Sequence, residues 1–139
     1  MTILPGIQKS EFIAATAAWA EQHGYVTTML GRRRYLNQIW ATRKDIQEAE
    51  KRKAINMPIQ GTAADIVKLA MIELDRFFRA EQSSAKMILQ VHDEILFEIA
   101  EVDWPALDAD IRRIMEHVLS LSVPLKVSIN AGKRWGDIH

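Results

Sequence analysis

The segment from Met87 to Ile99 constrains the fold more than any other. Met87, Leu89 and Val91 alternate with Gln90 and His92, and Ile95, Phe97 and Ile99 repeat the two-residue period with Glu98 opposite. That pattern predicts two short strands folded back on each other, each with one apolar face. The bend between them is unusual. Tight hairpins favour Asn-Gly, Asp-Gly or a lone glycine, which accept positive φ. Here the bend reads His92-Asp93-Glu94, with no glycine and two adjacent carboxylates that repel each other.

The rest of the chain supplies helices to cover such a hairpin. A helix is expected from about Ile7 to Gln22, with Phe12, Ala15, Thr16 and Trp19 inward and Gly24 as its stop. Tyr25 to Thr28 and Arg33 to Leu36 flank Leu30-Gly31 and predict a second small hairpin with a basic outgoing arm. From Lys44 to Ile55 the sequence is polar and helix-favouring, and Asn56-Met57-Pro58 should end that helix. Another helix is expected from Gly61 or Thr62 to Ala80, its apolar face built on Ile66, Ala70, Leu74 and Phe77. After a loop at Ser83-Ser84 and the acidic hairpin, Asp103 is placed to cap a helix reaching about Leu121, with Pro105 in its first turn. Leu107, Ile111, Ile114, Met115 and Val118 form its inward face, and a last strand is expected from Leu125 to Ile129. Together these elements predict an α+β fold, a small antiparallel sheet with packed helices, in a single domain without internal repeats.

Composition narrows the function classes. With 139 residues and 48% apolar content the chain can bury a core. It has no cysteine, hence neither disulfides nor thiolate metal sites, and its four histidines are not at zinc-site spacing. No apolar run is long enough to span a bilayer and no signal-peptide pattern opens the chain, so the expected location is cytoplasmic, with no membrane partner. Eighteen basic residues balance eighteen acidic ones, which excludes a global polyanion-binding field. Charge is uneven, however. Between Arg32 and Lys53 eight basic residues face three acids, which is either a local positive patch or a solvated helix face.

Asp93 and Glu94 are hard oxygen donors of the kind Mg²⁺ takes, one or two carboxylates alongside waters and substrate phosphates. Two such ions can clamp the attacking and leaving oxygens of a phosphoryl transfer. A solvated acidic turn is the commoner explanation for such a pair. His92 is suited to donating a hydrogen bond to a sugar or phosphate, or is simply the polar-face residue of its strand. Arg52, Asn56 and Gln60 are the residue types that read minor-groove edges, whose acceptors vary little with base sequence; an exposed polar helix end is the simpler alternative. Arg32, Arg33 and Arg34 are suited to phosphate contacts, or to protecting a strand edge by charge.

These residues, in this order, resemble family A DNA polymerases of the bacterial DNA polymerase I type. Gln90-Val91-His92-Asp93-Glu94 between apolar strands is similar to the family's motif C. Gly24 to Thr28 with Gly31 to Leu36 resembles the end of the fingers, and Ala54 to Ile66 the segment leading into a long palm helix. Val123-Pro124-Leu125 and Gly132 with Trp135 resemble the last strand and tail, so the likeness runs from about Leu4 to the end. Asn37 stands where relatives commonly have proline.

The resemblance implies an incomplete palm (about 44–139) with the end of the fingers (about 1–43), the C-terminal part of a DNA-directed DNA polymerase. It implies that Asp93 holds a metal ion, that Glu94 supports the site, and that His92 approaches the primer terminus. Arg52, Asn56 and Gln60 then contact the primer–template duplex. The implied cofactor is Mg²⁺ in a two-metal site, and the implied partners are primer–template DNA and deoxynucleoside triphosphates. The family's other aspartate, in a motif resembling Asp-Tyr-Ser-Gln-Ile-Glu, and the fingers helix that grips the triphosphate have no counterpart in this sequence. Activity is therefore expected to need the N-terminal part of the polymerase. The competing reading is a truncated, inactive remnant with at most weak DNA binding.

Overall fold

The computed structural model describes residues 9–138. In order the chain forms α1 (Lys9–His23), β1 (Tyr25–Thr27), β2 (Arg33–Tyr35), α2 (Lys44–Ala80), β3 (Lys86–Val91), β4 (Glu94–Glu98), α3 (Trp104–His117) and a 3₁₀ turn at Trp135–Asp137. The strands make two antiparallel pairs, β1 with β2 and β3 with β4, so the α+β expectation holds. Two compact units divide between Asp65 and Ile66. The expected start of the first helix at Ile7 lies outside the described residues.

In the first unit, Ala20, Val26, Leu36, Ile39, Ala54 and Met57 form the core. Helix α1 meets it through Thr16 and Ala20 rather than through the expected Ala15 and Trp19, both of which are exposed. Small side chains on the inward stripe let α1 sit close to its neighbours, and Trp19 instead stacks on His23 one turn later. Gly24 ends the helix at φ +71°, its amide 2.8 Å from the Ala20 carbonyl. The Trp40 indole lies so close over Gly24 that a Cβ there would stand 2.5 Å from the ring, and its Nε1 donates to the Glu21 carbonyl at 2.8 Å. Trp40 thereby satisfies one of the carbonyls that a helix end leaves without a partner.

Helix α2 corrects the expected break at Asn56-Met57-Pro58, because it runs through Pro58 without interruption. Proline in a helix interior costs about 3 kcal/mol, since it removes a hydrogen bond and crowds the preceding turn. Ala54 and Met57 belong to the first unit's core, and Pro58 beside them is buried as well. Burying side chains the size of Met57, Leu36 and Ile39 contributes about 1.5–3 kcal/mol each, which outweighs that cost. Local rules therefore marked a boundary that tertiary packing erases.

The second unit is built on Leu74, Phe78, Ala85, Leu107 and Ile111, with Phe77, Met87, Ile95, Phe97, Ile99, Ile114 and Met115 against them. Phe78 meets Phe97 edge-on at 6.0 Å. Helix α2 ends with Gln82 at φ +50° and the Ser83 amide bonded back to the Phe78 carbonyl, the geometry of a left-handed C-terminal cap. In the β3–β4 ladder a bulge falls between Met87 and Leu89: Met87 opposes Phe97, but Leu89 opposes Leu96. Beyond the bulge the faces exchange, so Leu89 is exposed where strict alternation placed it inward.

Helix α3 stops at His117, short of Leu121, and Asp103 makes no side-chain cap. Its carboxylate accepts the Ser84 hydroxyl at 2.7 Å instead, while its carbonyl starts the helix by accepting the Leu107 amide. The expected strand over Leu125 to Ile129 is absent from the described ladders. Its burial still alternates residue by residue. The Val127 amide, however, donates to the Glu116 carboxylate at 3.0 Å and its carbonyl accepts from Arg112 Nη1, so side chains of α3 take the bonds a neighbouring strand would make.

Candidate nucleic-acid interface and acidic turn

Because α2 continues through Pro58, Arg52, Asn56 and Gln60 occupy i, i+4 and i+8 of one uninterrupted helix and form an exposed line along it. Glu50, Ala54, Met57, Pro58, Thr62 and Asp65 are buried on the opposite side. None of the three exposed side chains is hydrogen-bonded or ion-paired to another described residue, and their polar ends face solvent.

The loop joining β1 to β2 is clamped onto the same helix. Arg32 Nε donates to Asp65 Oδ1 at 2.7 Å and its Nη2 to the Gly61 carbonyl at 3.1 Å. The Met29 amide donates to Thr62 Oγ1 at 3.0 Å, and that hydroxyl donates in turn to the Pro58 carbonyl. Thr28 Oγ1 accepts the Arg32 amide at 3.1 Å, closing the loop on itself. Gly61 permits the approach, since a Cβ there would stand 2.7 Å from the Thr28 methyl. Asp65 Oδ2 is buried and has no hydrogen-bond partner.

This clamp divides the basic triplet. Arg32 is committed to Asp65 and the Gly61 carbonyl, Arg33 lies over the Tyr25 ring at 4.6 Å, and Arg34 is bonded to no other described residue. Arg32, Arg33 and Arg34 line an open concavity of about 280 Å³ with Met57, Gln60 and Gly61. Gln60 therefore belongs both to the exposed line on α2 and to the basic concavity. Sequence reasoning assigned no role to Asp65, Thr62 or Thr28. An acid within the apolar run Ala63-Ala64-Asp65-Ile66-Val67 was the available signal, because a lone Asp on a buried face is paired when it occurs at all.

In the second unit the acidic bend is a two-residue turn. Val91 pairs with Glu94, leaving His92 and Asp93 at the tip and Glu94 as the first residue of β4. His92 takes φ +53°, a left-handed conformation uncommon outside glycine, and its carbonyl accepts the Gln90 side-chain amide. His92, Asp93 and Glu94 are all exposed. Neither carboxylate bonds to another described residue, and no cluster of three or more His, Cys, Asp or Glu exists among those residues. Two free carboxylates at a strained, exposed turn suit a hard cation that completes its shell with water and phosphate oxygens.

The model of DNA polymerase family A matches residues 4–137. The chain belongs to that family. DNA polymerase I of Mycobacterium bovis is 43% identical over 90% of this chain, and that of Deinococcus radiodurans 44% identical over 96%. In each case the matched region is 14% of the relative's length, so this family A chain spans about one seventh of them. The POL domain of Pol1 from M. smegmatis, in complex with DNA primer-template and dNTP, superposes with a TM-score of 0.89 at 39% identity. That superposition covers 93% of this chain and 23% of the other. Among the described residues no helix is long and apolar enough to cross a membrane.

Proposed function

We propose that this family A chain is the C-terminal part of a DNA-directed DNA polymerase, acting with the remaining polymerase segments in template-directed DNA synthesis in the cytoplasm. The observation that carries this reading is the exposed line of Arg52, Asn56 and Gln60 on α2, next to the basic concavity. Amide and guanidinium groups one helical turn apart can hydrogen-bond the minor-groove acceptors of a duplex, which differ little between A·T and T·A pairs. Arg34 and the exposed edge of Arg33 add phosphate contacts, which fix register without reading sequence.

In the reaction the primer 3′-hydroxyl attacks the α-phosphorus of a deoxynucleoside triphosphate in line. A new O–P bond forms, the bond to the β-phosphate oxygen breaks, pyrophosphate leaves and the hydroxyl gives up its proton. Asp93, with Glu94 beside it, would hold Mg²⁺, which supplies Lewis-acid stabilisation of phosphate charge. The exposed, unpaired state of both carboxylates supports this assignment. His92, fixed in its left-handed conformation at the tip of the turn, orients toward the primer end. Arg52, Asn56 and Gln60 hold the duplex so that the hydroxyl and the triphosphate meet in a reactive geometry.

The test is fluorescence anisotropy with a labelled blunt DNA duplex. Combined Asn56→Ala and Gln60→Ala substitution should weaken binding by a similar factor on duplexes of unrelated sequence, and Arg52→Ala should lower the salt slope. Unchanged affinity in both variants would remove the duplex assignment.

A further inference from the structure

One exposed surface of the first unit lies away from the α2 line and shares only Arg33 with the duplex reading. Trp19 and His23, one turn apart at the end of α1, stack with ring centroids 3.7 Å apart and planes inclined by 15°. The Tyr25 ring stands 6.3 Å from Trp19 and 6.1 Å from His23, and Tyr35 continues the row 5.9 Å from Tyr25. The ladder register explains the alignment. Tyr25 opposes Tyr35 and Thr27 opposes Arg33, so Tyr25, Tyr35 and Arg33 share one face of the β1–β2 ribbon, while Val26 on the other face is buried in the core. Arg33 places its guanidinium over the Tyr25 ring at 4.6 Å.

None of these rings belongs to the core of its unit. Tyr35 is 64% exposed and Trp19 38%. Trp19, His23 and Tyr35 are exposed and Tyr25 is half-buried beneath Arg33, so the row offers ring faces with one guanidinium stacked among them on a single face of the ribbon. Tyr, Trp and Arg also mark protein interfaces, but there they sit within a desolvated apolar core, whereas this face of the ribbon carries Tyr25, Thr27, Arg33 and Tyr35 with no aliphatic side chain among them. Stacked rings interleaved with arginine are the chemistry that takes unpaired nucleobases, because every base presents a π-face whatever its sequence, and the arginines take the phosphates between.

We propose that the face formed by Trp19, His23, Tyr25, Arg33 and Tyr35 binds single-stranded nucleic acid by base stacking. It is distinct from the α2 line that would hold a duplex, and it is tested through Tyr35, a residue that the duplex assignment does not use. Tyr35 carries the outermost stacking position, and Arg33 joins stacking to phosphate contact.

The experiment measures anisotropy of a fluorescein-labelled thymidine oligomer, roughly 12 nucleotides long to span one such site, against the full chain. A blunt duplex and an abasic oligomer of equal length are run in parallel. The parent chain should bind the thymidine oligomer, and should bind the abasic oligomer far more weakly. Tyr35→Ala should weaken the thymidine complex by roughly 5- to 100-fold, the range expected for loss of one base–aromatic stack. Tyr35→Phe should keep it, since the ring and not the hydroxyl does the stacking. Tyr35→Ala should leave blunt-duplex affinity unchanged, whereas combined Asn56→Ala and Gln60→Ala should leave thymidine-oligomer affinity unchanged. Four results would each overturn the proposal: no oligomer binding by the parent, equal binding of the abasic oligomer, parental affinity in Tyr35→Ala, or equal loss in Tyr35→Ala and Tyr35→Phe.

Discussion

Arg32 Nε lies 2.7 Å from Asp65 Oδ1, joining residues thirty-three positions apart in the sequence. The pair is asymmetric: the Arg32 side chain is 47% exposed and that of Asp65 only 9%. Removing the arginine strands a buried carboxylate, whereas removing the aspartate leaves a guanidinium that water can reach. Arg32→Ala should therefore destabilise the chain by about 2 kcal/mol. Asp65→Ala should cost less, and the double variant should recover part of the Arg32→Ala loss. Urea denaturation of the three variants checks the ordering.

Gly61 tests whether packing or helix propensity governs the middle of α2. Propensity alone favours Gly61→Ala by about 1 kcal/mol. The new Cβ would stand 2.7 Å from the Thr28 methyl and 3.3 Å from Arg32 Nη2, in a loop that five hydrogen bonds and an ion pair hold in place. A net loss of about 1–3 kcal/mol is expected from overpacking, read from thermal unfolding.

The exposed line on α2 should be dispensable for folding. Arg52→Ala, Asn56→Ala and Gln60→Ala each remove a solvent-facing side chain from a helix, and each should change stability by no more than about 0.5 kcal/mol. Any loss of duplex binding in these variants then reports on recognition. Denaturation midpoints measured beside the binding isotherms separate the two.

Lys51 ties α2 to α1, its Nζ 2.7 Å from the Glu21 carboxylate and 3.6 Å from that of Glu48. The hydrogen bond it donates to Glu21 raises its pKa above the usual lysine value of 10.5. A raised folded-state pKa means that the stabilisation is fully present below the unfolded value and is lost as pH rises through the folded one. The stability difference between the parent and Lys51→Met should thus be flat through neutral and mildly alkaline pH and should shrink only above about pH 10.5. Urea midpoints across that range test the sign.

Much of this arrangement was legible in the sequence, and what was not shares a physical cause. The β3–β4 hairpin and its acidic tip could be read because a two-residue period is local and carries its own register. The bulge between Met87 and Leu89 could not, since it depends on how the strand meets Phe78 and Phe97 across the core. Pro58 reads as a stop because the rule against interior proline knows nothing of Ala54 and Met57 packing on Leu36 and Ile39. Arg52, Asn56 and Gln60 were found by side-chain chemistry, but their alignment on a single helix required that the break be absent. Asp65, which holds Arg32, was missed because its partner is distant in the sequence. The strand expected at Leu125 to Ile129 failed because Arg112 and Glu116 take the Val127 backbone groups.

Primer extension is the most direct test of the central claim. The chain is combined with a separately produced family A segment ending where this one begins, and supplied with a primer–template, four deoxynucleoside triphosphates and Mg²⁺. Parallel reactions contain the chain alone and the Asp93→Ala variant. Extension is expected only in the combined reaction and should be lost with Asp93→Ala, which would establish the chain as a working part of a polymerase with Asp93 at its metal site. No extension from a mixture shown to have assembled would contradict the account and leave the inactive remnant, and extension undiminished by Asp93→Ala would contradict the assignment of Asp93.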